Sequence, residues 1–358
     1  MFKVTIKPHW EIGQESDAVL DTSALLILLT SIRETGSISN AAKETNLSYR
    51  HVWGMLRTAE QLFSHPLVLT ERGRGSVLTP LAEKLIWADR RIAARLSPTL
   101  DSLASELEGE LSKAVAGSSK TIRLNASHGF AVAALLNQLN AIHLPVDLRY
   151  RSSTDAVAAL SRGECDLAGF HVPFGEFEDA IIALYARWLN KKTHCLIHLA
   201  VRDQGLMVAA GNPKNIHILA DLSASDVLFV NRQIGSGTRV LLEMLLAKAS
   251  VESRTIDGFE TTEFTHSAVA AFIASGMADV GFGVQTAAAR FGLEFIPLVR
   301  ERYFFALPIS AMQDPLMQQF ITTIQTDTFR EVVNQLAGYD GSATGDILSL
   351  QDAFASLR

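Results

Sequence analysis

The sequence predicts a multidomain protein with a small, mainly helical N-terminal domain followed by a larger α/β domain of two lobes. Apolar residues recur at helical spacing through roughly the first 110 residues, and strand-like runs alternate with helical segments after about residue 120. The 358 residues, of which 48% are hydrophobic and 20% charged, suffice for two or three domains with ordinary cores.

Charge is distributed unevenly along the chain. The formal net charge is −6, which does not by itself suggest a nucleic-acid-binding protein. Residues 22–95, however, hold ten basic and six acidic residues and carry +4, leaving −10 for the rest. The N-terminal third is therefore a basic segment of an acidic chain. The two cysteines, Cys165 and Cys195, form no CxxC motif and predict neither a structural zinc site nor a disulfide framework.

The N-terminal segment predicts a short strand over residues 3–12 and then three helices. The first helix ends at Gly36, and the third begins after Ser48, a good N-cap residue. A tight turn over residues 45–48 joins the second helix to the third. The residues expected to be buried are Leu25, Leu28, Leu29 and Ile32 in the first helix, Ile38, Ala41 and Ala42 in the second, and Val52, Leu56, Ala59 and Phe63 in the third.

Two short helices joined by a tight turn are typical of a helix-turn-helix domain, which we place at residues 1–95. Strand-like residues 67–71 and 77–79 predict a hairpin wing with its tip at 72–76. Hydroxyl, aromatic and guanidinium groups on the third helix suit a major groove, and the arginines of the tip suit backbone or minor-groove contact. The predicted DNA-binding residues are Ser37, Ser48, Tyr49, Arg50, Trp53, Arg57, Arg72 and Arg74. The alternative is a small helical domain whose charges only solvate its surface.

Thr79 and Pro80 predict the start of a long helix over residues 80–117, with threonine as the N-cap. Pro98 is expected to kink or break it near Ser97. An apolar seam along the helix suggests a homodimer, or a tetramer, that would match a symmetric operator. The seam consists of Leu81, Leu85, Ala88, Ile92, Leu96, Leu103 and Leu107. The alternative is that it packs only on its own domain.

After a linker at about 113–120, strands alternate with helices, which predicts an α/β domain at residues 118–345. Lobe I is expected at about 118–200 and 300–345, lobe II at about 201–299, and a C-terminal tail at 346–358. The expected strands are 122–125, 146–150, 166–170, 227–230, 280–282 and 302–307.

Three turns of this domain, at 127–129, 152–154 and 235–238, combine Ser, Gly or Thr with a following helix. Free backbone N–H groups and the helix dipole make such turns suitable for anions, which arginine and histidine side chains can also bind. The predicted ligand-binding residues are Ser127, His128, Ser153, Thr154, His171, Arg232, Ser236, Gly237, Thr238 and Arg239. The alternatives are ordinary N-caps, turn glycines, a structural histidine and arginines paired with surface carboxylates.

Recognisable catalytic motifs such as GxSxG, HExxH and the Walker A loop do not occur, so we expect neither an enzyme nor a metal site. We expect no cofactor other than a small anionic effector. The N-terminal residues lack the apolar core of a signal peptide, and no segment is apolar enough to span a membrane. These features predict a cytoplasmic protein without a membrane partner.

Residues 36–43, 47–53 and 78–82 resemble the winged helix of ModE-type molybdate-responsive regulators and, more broadly, of LysR-type regulators. Residues 229–239, together with 166–171 and 276–281, resemble type II periplasmic-binding-protein domains of the molybdate-ABC-like kind. After the winged helix, ModE-type proteins usually carry small molybdate-binding barrel domains. This chain departs from them in that part.

The resemblance implies a regulator that binds double-stranded DNA and senses molybdate, tungstate or a molybdenum-cofactor-related ligand, or that controls molybdoenzyme genes. A LysR-type regulator of a small carboxylate such as formate is the alternative. An enzyme on a binding-protein fold, a transport binding protein and a domain that only couples other parts mechanically are less favoured.

Overall fold

The computed structural model describes residues 2–13, 19–71, 75–116 and 120–354. The chain divides into two compact units, one of Lys7–Leu96 and one of Met1–Ile6 with Ser97–Arg358. The expected boundary of the N-terminal domain, residue 95, is thus close to the division. None of the helices in the described ranges is long and apolar enough to cross a membrane.

The smaller unit contains three helices, two strand pairs and the start of a fourth helix. Its elements are β1 (Glu11–Ile12), β2 (Leu20–Asp21), α1 (Thr22–Thr35), α2 (Ile38–Glu44), α3 (Tyr49–Phe63), β3 (Val68–Glu71), β4 (Gly75–Leu78) and α4 (Pro80–Ala116). The strand expected over residues 3–12 is wrong for most of its length, because only Glu11 and Ile12 find a strand partner, in β2. The apolar alternation there is too loose to bury one face of a longer strand.

The three helices bury the faces that the spacing predicts. Leu28, Leu29, Ile32 and Val52 are fully buried in one cluster. Gly36 ends α1 in the left-handed conformation with φ 63°, and its N–H donates to the carbonyl of Ile32. A glycine at this position avoids the steric cost that a Cβ would bring.

The wing is an antiparallel pair of β3 and β4, joined to the end of α1 by a hydrogen bond from Ser76 N to Gly36 O of 2.8 Å. Gly75 adopts φ 88°, and a Cβ on it would lie 2.5 Å from Gly36 O. Only glycine fits there, because both the φ angle and the close approach exclude a side chain. The wing-tip residues Arg72 and Arg74 lie outside the described residues.

Helix α4 begins at Pro80, and Thr79 Oγ1 accepts a hydrogen bond from Ala82 N, as the sequence predicts. Of the kink or break expected at Pro98, the break is wrong, because the helix continues through Pro98 to Ala116. A proline removes a single main-chain donor from a helix. The hydrogen bonds of the remaining turns keep the rest of this long helix together.

The larger unit is built on one sheet. Its strands are β5 (Ile122–Ala126), β6 (Val146–Tyr150), β7 (Leu167–Pro173), β8 (His194–Val208), β9 (Phe229–Arg232), β10 (Thr262–Glu263), β11 (Val280–Val284), β12 (Glu294–Pro308), β13 (Tyr339–Asp340) and β14 (Ile347–Ser349). Its helices are α5 (Phe130–Ala141), α6 (Ser153–Ser161), α7 (Glu178–Ala186), α8 (Gly237–Lys248), α9 (His266–Ala274), α10 (Gln285–Arg290), α11 (Pro315–Ile324), α12 (Asp327–Asn334) and α13 (Leu350–Ala353).

The strand order β10-β9-β11-β8-β12-β7-β5-β6 separates two parallel groups with two long antiparallel strands between them. Strands β5, β6 and β7 form lobe I, and β9, β10 and β11 form lobe II. The 15-residue strands β8 and β12 run between the lobes. The lobe boundaries expected at 200 and 300 fall inside these crossover strands.

The end of the described chain is part of lobe I and not a tail, which corrects the expectation for residues 346–358. Strand β14 pairs with β8 over Ile347–Ser349. Leu350 and Phe354 are fully buried in the same cluster as Phe170 and Phe304. Its strand partner in β8 is about 150 residues away in the sequence, so only the folded chain shows this pairing.

Candidate nucleic-acid interface and buried anion site

The exposed face of α3 presents aromatic and basic side chains. Ser48 caps the helix by accepting a hydrogen bond from His51 N at 3.2 Å. The rings of Tyr49 and Trp53 are 54% and 42% exposed and meet edge to face with centroids 6.1 Å apart. Arg50 and Arg57 are exposed on the same helix. This face combines positive charge with large planar groups, as contacts to a DNA groove require.

Ser37 is the N-cap residue of α2, because its hydroxyl accepts a hydrogen bond from Asn40 N at 3.3 Å. The structure therefore brings five predicted DNA-binding residues to the N-terminal part of α3 and places Ser37 at the start of α2. Arg72 and Arg74 cannot be placed, because the described residues end on either side of them.

Two of the three predicted anion turns use their first serine as an ordinary cap. Ser152 Oγ accepts from Asp155 N at 3.1 Å, and Ser236 Oγ accepts from Arg239 N at 3.2 Å. Gly237 and Thr238 open α8, the former exposed and the latter buried. Thr154 is half-buried in the first turn of α6. Within the described ranges, no hydrogen bond or ion pair joins Gly237, Thr238 or Thr154 to the buried histidine and arginine side chains described below.

Arg239 is occupied by its own surroundings. Its Nε lies 2.8 Å from Glu243 Oε1, its Nη2 3.1 Å from Glu260 Oε1, and its Nη1 donates to the carbonyl of Phe259 at 3.2 Å. The guanidinium also lies 4.3 Å from the centre of the Phe259 ring. These contacts correspond to the alternative of an arginine paired with surface carboxylates.

Lobe I brings three other predicted residues together. His171 Nδ1 lies 3.3 Å from Ser127 Oγ and 3.4 Å from Ser153 Oγ. Ser127 follows β5, Ser153 opens α6 and His171 lies in β7. Because parallel strands present their carboxyl ends at one edge, two other segments of the chain reach this imidazole. The carbonyl of His171 accepts from the hydroxyl of Tyr185 at 3.3 Å.

The crossover strands add a buried ion pair beside this group. Arg202 Nε donates to Glu301 Oε1 at 2.6 Å, and both side chains are less than 5% exposed. His171 Nε2 lies 3.9 Å from the same carboxylate oxygen. Burial alone would lower the pKa of Arg202, but the Glu301 carboxylate and the Tyr339 side chain reverse this and raise it.

Lobe II contributes Arg232 from the end of β9. Its Nη2 donates to the carbonyl of Phe264 at 2.9 Å, and its buried Nε has no hydrogen-bond partner among the described residues. Burial, and next the charge of Arg202, lower the pKa of Arg232 to about 10. Glu263 lies in register with Arg232 on the neighbouring strand and is also buried.

The electrostatic field at three imidazoles around this group is positive. Burial first, and then Arg232 and Arg202, lower the pKa of His128 to about 4, with a further contribution from Arg290. The pKa values of His171 and His266 are lowered by burial and by the same two arginines. All three histidines are therefore neutral at pH 7, and each offers one N–H donor.

We define the cleft cluster as Ser127, His128, Ser153, His171, Arg202, Arg232, His266 and Glu301. It combines two buried guanidinium groups with hydroxyl and imidazole donors. Three buried nitrogen atoms of the cleft cluster have no hydrogen-bond partner among the described residues. They are Nε2 of His171, Nδ1 of His266 and Nε of Arg232. Buried polar atoms are normally satisfied, so an anion that accepts from several donors suits this arrangement. In the described ranges, no three His, Cys, Asp or Glu side chains lie close enough together to hold a metal ion.

Sequence reasoning missed Arg202, His266 and Glu301. Arg202 directly follows the mainly apolar residues 195–201, and Glu301 shortly precedes the apolar residues 303–307. A charged residue inside a buried strand is rare unless it is paired, so these two positions did carry a signal. His266 follows Thr265, which caps α9, and only the folded chain brings it to the cluster.

Comparisons with known proteins agree with the two units. A family model described as "PBP superfamily domain" matches residues 134–325, more than half of the chain. A second, described as "Bacterial regulatory helix-turn-helix protein, lysR family", matches residues 24–83. Together the matches support a LysR-type, ligand-responsive transcription regulator as the general class.

Two relatives and one solved structure illustrate the similarity. "Uncharacterized protein YvgK" of Bacillus subtilis (strain 168) is 31% identical over 209 residues, which cover 58% of this chain and 67% of that protein. "Molybdenum-pterin-binding protein MopB" of Rhodobacter capsulatus is 31% identical over 138 residues, 37% of this chain and half of that protein's length. The structure of CbnR, a LysR family transcriptional regulator, aligns with a TM-score of 0.40 at 18% identity, over 83% of this chain and 98% of that one.

The domain matches are sufficient for the family. The chain belongs to the family described as the PBP superfamily domain, and its N-terminal part carries a helix-turn-helix domain of the lysR type.

Proposed function

We propose that this protein regulates transcription by binding DNA through α3 and the wing, in response to a small anion held by the cleft cluster. The observation that carries the effector proposal is Arg232, a buried arginine with no ion pair among the described residues and with an unpartnered Nε. A buried cation that no carboxylate contacts directly is costly, and an anionic ligand lowers that cost. The positive electrostatic field at the imidazoles of His128, His171 and His266 also favours an anionic ligand.

We propose a tetrahedral oxyanion, molybdate or tungstate, or a molybdenum-cofactor-related ligand as the first candidate. The resemblance of residues 229–239 to molybdate-ABC-like domains and the partial match to MopB support it. Arginine also binds carboxylates in a bidentate manner, which supports a small carboxylate such as formate as the second candidate.

Thermal unfolding of the full chain with separate additions of molybdate, tungstate, phosphate and formate tests the proposal. At constant ionic strength, an effector present at 100 times its dissociation constant stabilises the folded state by about 2.7 kcal/mol. Arg232→Ala should abolish the shift. The exposed Arg254, paired with Glu252, offers the matched control Arg254→Ala, which should retain it. The effector proposal is wrong if no anion shifts the transition or if Arg232→Ala leaves the shift intact.

We further propose that the protein is a homodimer through the C-terminal half of α4. Leu103 and Leu107 are 48% and 39% exposed, and Leu111 on the same face is 37% exposed. Exposed leucines at i, i+4 and i+8 form a stripe that a second helix can cover. Sedimentation of Leu103→Asp should give a lower mass than the wild type, while Glu106→Ala on the same helix should leave the mass unchanged.

A further inference from the structure

Helix α4 covers the outer edge of the sheet. Strand β6 is the terminal strand of the sheet order, so the backbone groups on its outer side have no strand partner within the described chain. Two serines of α4 take that place. Tyr150 N donates to Ser102 Oγ at 3.2 Å, Leu148 N donates to Ser105 Oγ at 2.9 Å, and the Ser105 hydroxyl donates to Val146 O at 3.3 Å.

The three strand residues in these bonds are at alternate positions. Backbone groups of alternate residues in a strand point to the same side, so all three face away from β5. The serines are three residues apart and therefore lie on one face of α4. This segment of α4 is thus attached to lobe I by specific hydrogen bonds.

The end of β6 also touches the cleft cluster. The ring of Tyr150 meets the imidazole of His128 edge to face, with centroids 5.0 Å apart. The other side of Tyr150 faces α4, where the carboxyl of Asp101 contributes to its electrostatic surroundings. Tyr150 therefore contacts both His128 and Ser102.

We propose that Tyr150 and Ser102 transmit occupancy of the anion site to α4, the helix that begins in the unit bearing the DNA-binding face. The inference rests on the proposed function. An anion beside Arg232 and Arg202 cancels the field that acts on His128, and the imidazole then turns to donate to the anion. Its edge contact with Tyr150 changes, and the Tyr150–Ser102 hydrogen bond changes with it. Both are positioning residues and touch no anion.

The first test needs no ligand. Amide hydrogen exchange of the full chain is compared between the wild type, His128→Ala and His128→Phe. His128→Ala should speed exchange of residues 146–150 at least fivefold and leave α8 unchanged. His128→Phe keeps the ring edge against Tyr150 and should restore the protection. Ser102→Ala is the positive control, because it removes the acceptor of the Tyr150 amide. Unchanged exchange of 146–150 in His128→Ala overturns the proposal.

The second test measures DNA affinity of the full chain with and without molybdate, phosphate or formate, added separately. Ser102→Ala should keep the anion-induced shift in melting temperature but lose at least four-fifths of the anion-induced change in DNA affinity. Thr99→Ala removes an exposed hydroxyl from the same helix and should respond as the wild type does. A full DNA response in Ser102→Ala overturns the transmission. If no anion shifts the wild-type melting temperature, the proposed effector function fails, and hydrogen exchange alone then decides whether His128 and α4 are coupled.

Discussion

Arg202 and Glu301 are direct cross-strand neighbours on the two crossover strands, and their side chains form an ion pair with an Nε–Oε1 distance of 2.6 Å. These two strands are the connection between the lobes. The pair therefore fixes a positive and a negative charge at the place where the lobes meet. Arg232 approaches from lobe II and His171 from lobe I, so the pair also organises the rest of the cleft cluster.

Removal of one partner of this pair should destabilise the fold strongly. Glu301→Gln leaves Arg202 buried without a carboxylate, and such a change costs about 3–5 kcal/mol. The double variant Arg202→Met/Glu301→Leu removes both charges and should recover most of that loss. Urea unfolding of the full chain measures the difference. Additive effects of Arg202→Met and Glu301→Leu, each also measured alone, would show that the pair contributes no specific coupling.

Stability should fall on acidification because of the histidines of the cleft cluster. The pKa of His128 is about 4 in the folded protein, against about 6.5 in an unfolded chain. Between these values the unfolded chain binds a proton that the folded chain does not, so stability is lost as the pH falls from about 6.5 to 4. Melting temperatures measured over this range should depend less on pH in His128→Gln. An equal slope in the variant and the wild type would contradict the assignment.

The positive electrostatic field of Arg202 and Arg232 should also make anion binding pH-dependent. A bound anion raises the pKa values of His128, His171 and His266, because it opposes the two arginines. The stabilisation by an effector should therefore increase as the pH is lowered from 7.5 to 5.5, provided that the anion itself does not titrate there. Arg232→Ala should abolish both the binding and this dependence. A pH-independent binding constant would show that none of the three imidazoles takes up a proton on binding.

Arg50 on α3 should contribute to DNA affinity mainly through charge. Arg50→Ala is expected to weaken binding and, if the contact is to a phosphate, to reduce the salt slope of log K by about 1. Fluorescence anisotropy with an upstream DNA fragment at several salt concentrations measures both quantities. Arg254→Ala in the larger unit serves as the charge-matched control. Unchanged affinity in Arg50→Ala would remove α3 from the proposed DNA-binding face.

The helical part of the fold was predictable from the sequence, because local signals decide it. Gly36, Ser48 and the Thr79–Pro80 pair set helix ends through their own backbone chemistry. The buried faces of α1 and α3 follow from spacing alone. The break expected at Pro98 failed because a proline supplies only a local cost, and the hydrogen bonds of a 37-residue helix outweigh it.

The site was less predictable, because similar residues receive different partners in the fold. Arg232 and Arg239 are seven residues apart and flank the same turn, yet one is without an ion pair in the described structure and the other has two carboxylate partners. The Arg239–Glu243 pair has the i, i+4 spacing that a helix favours and was recognisable in the sequence. Arg202 and Glu301 are 99 residues apart, and only the antiparallel register of β8 and β12 brings them together.

The carboxyl end of the described chain should be essential for the stability of lobe I. Phe354 is fully buried, meets the Phe304 ring edge to face at 5.4 Å, and lies 5.3 Å from the Arg302 guanidinium. Arg302 in turn donates to the carbonyl of Ala353 at 3.0 Å. Phe354→Ala removes both ring contacts and leaves a cavity, which costs about 3–5 kcal/mol. Ile347→Ala, at a side chain that is 41% exposed, is the control and should cost far less in urea unfolding. Equal effects of the two substitutions would mean that Phe354 does not hold the segment to the sheet.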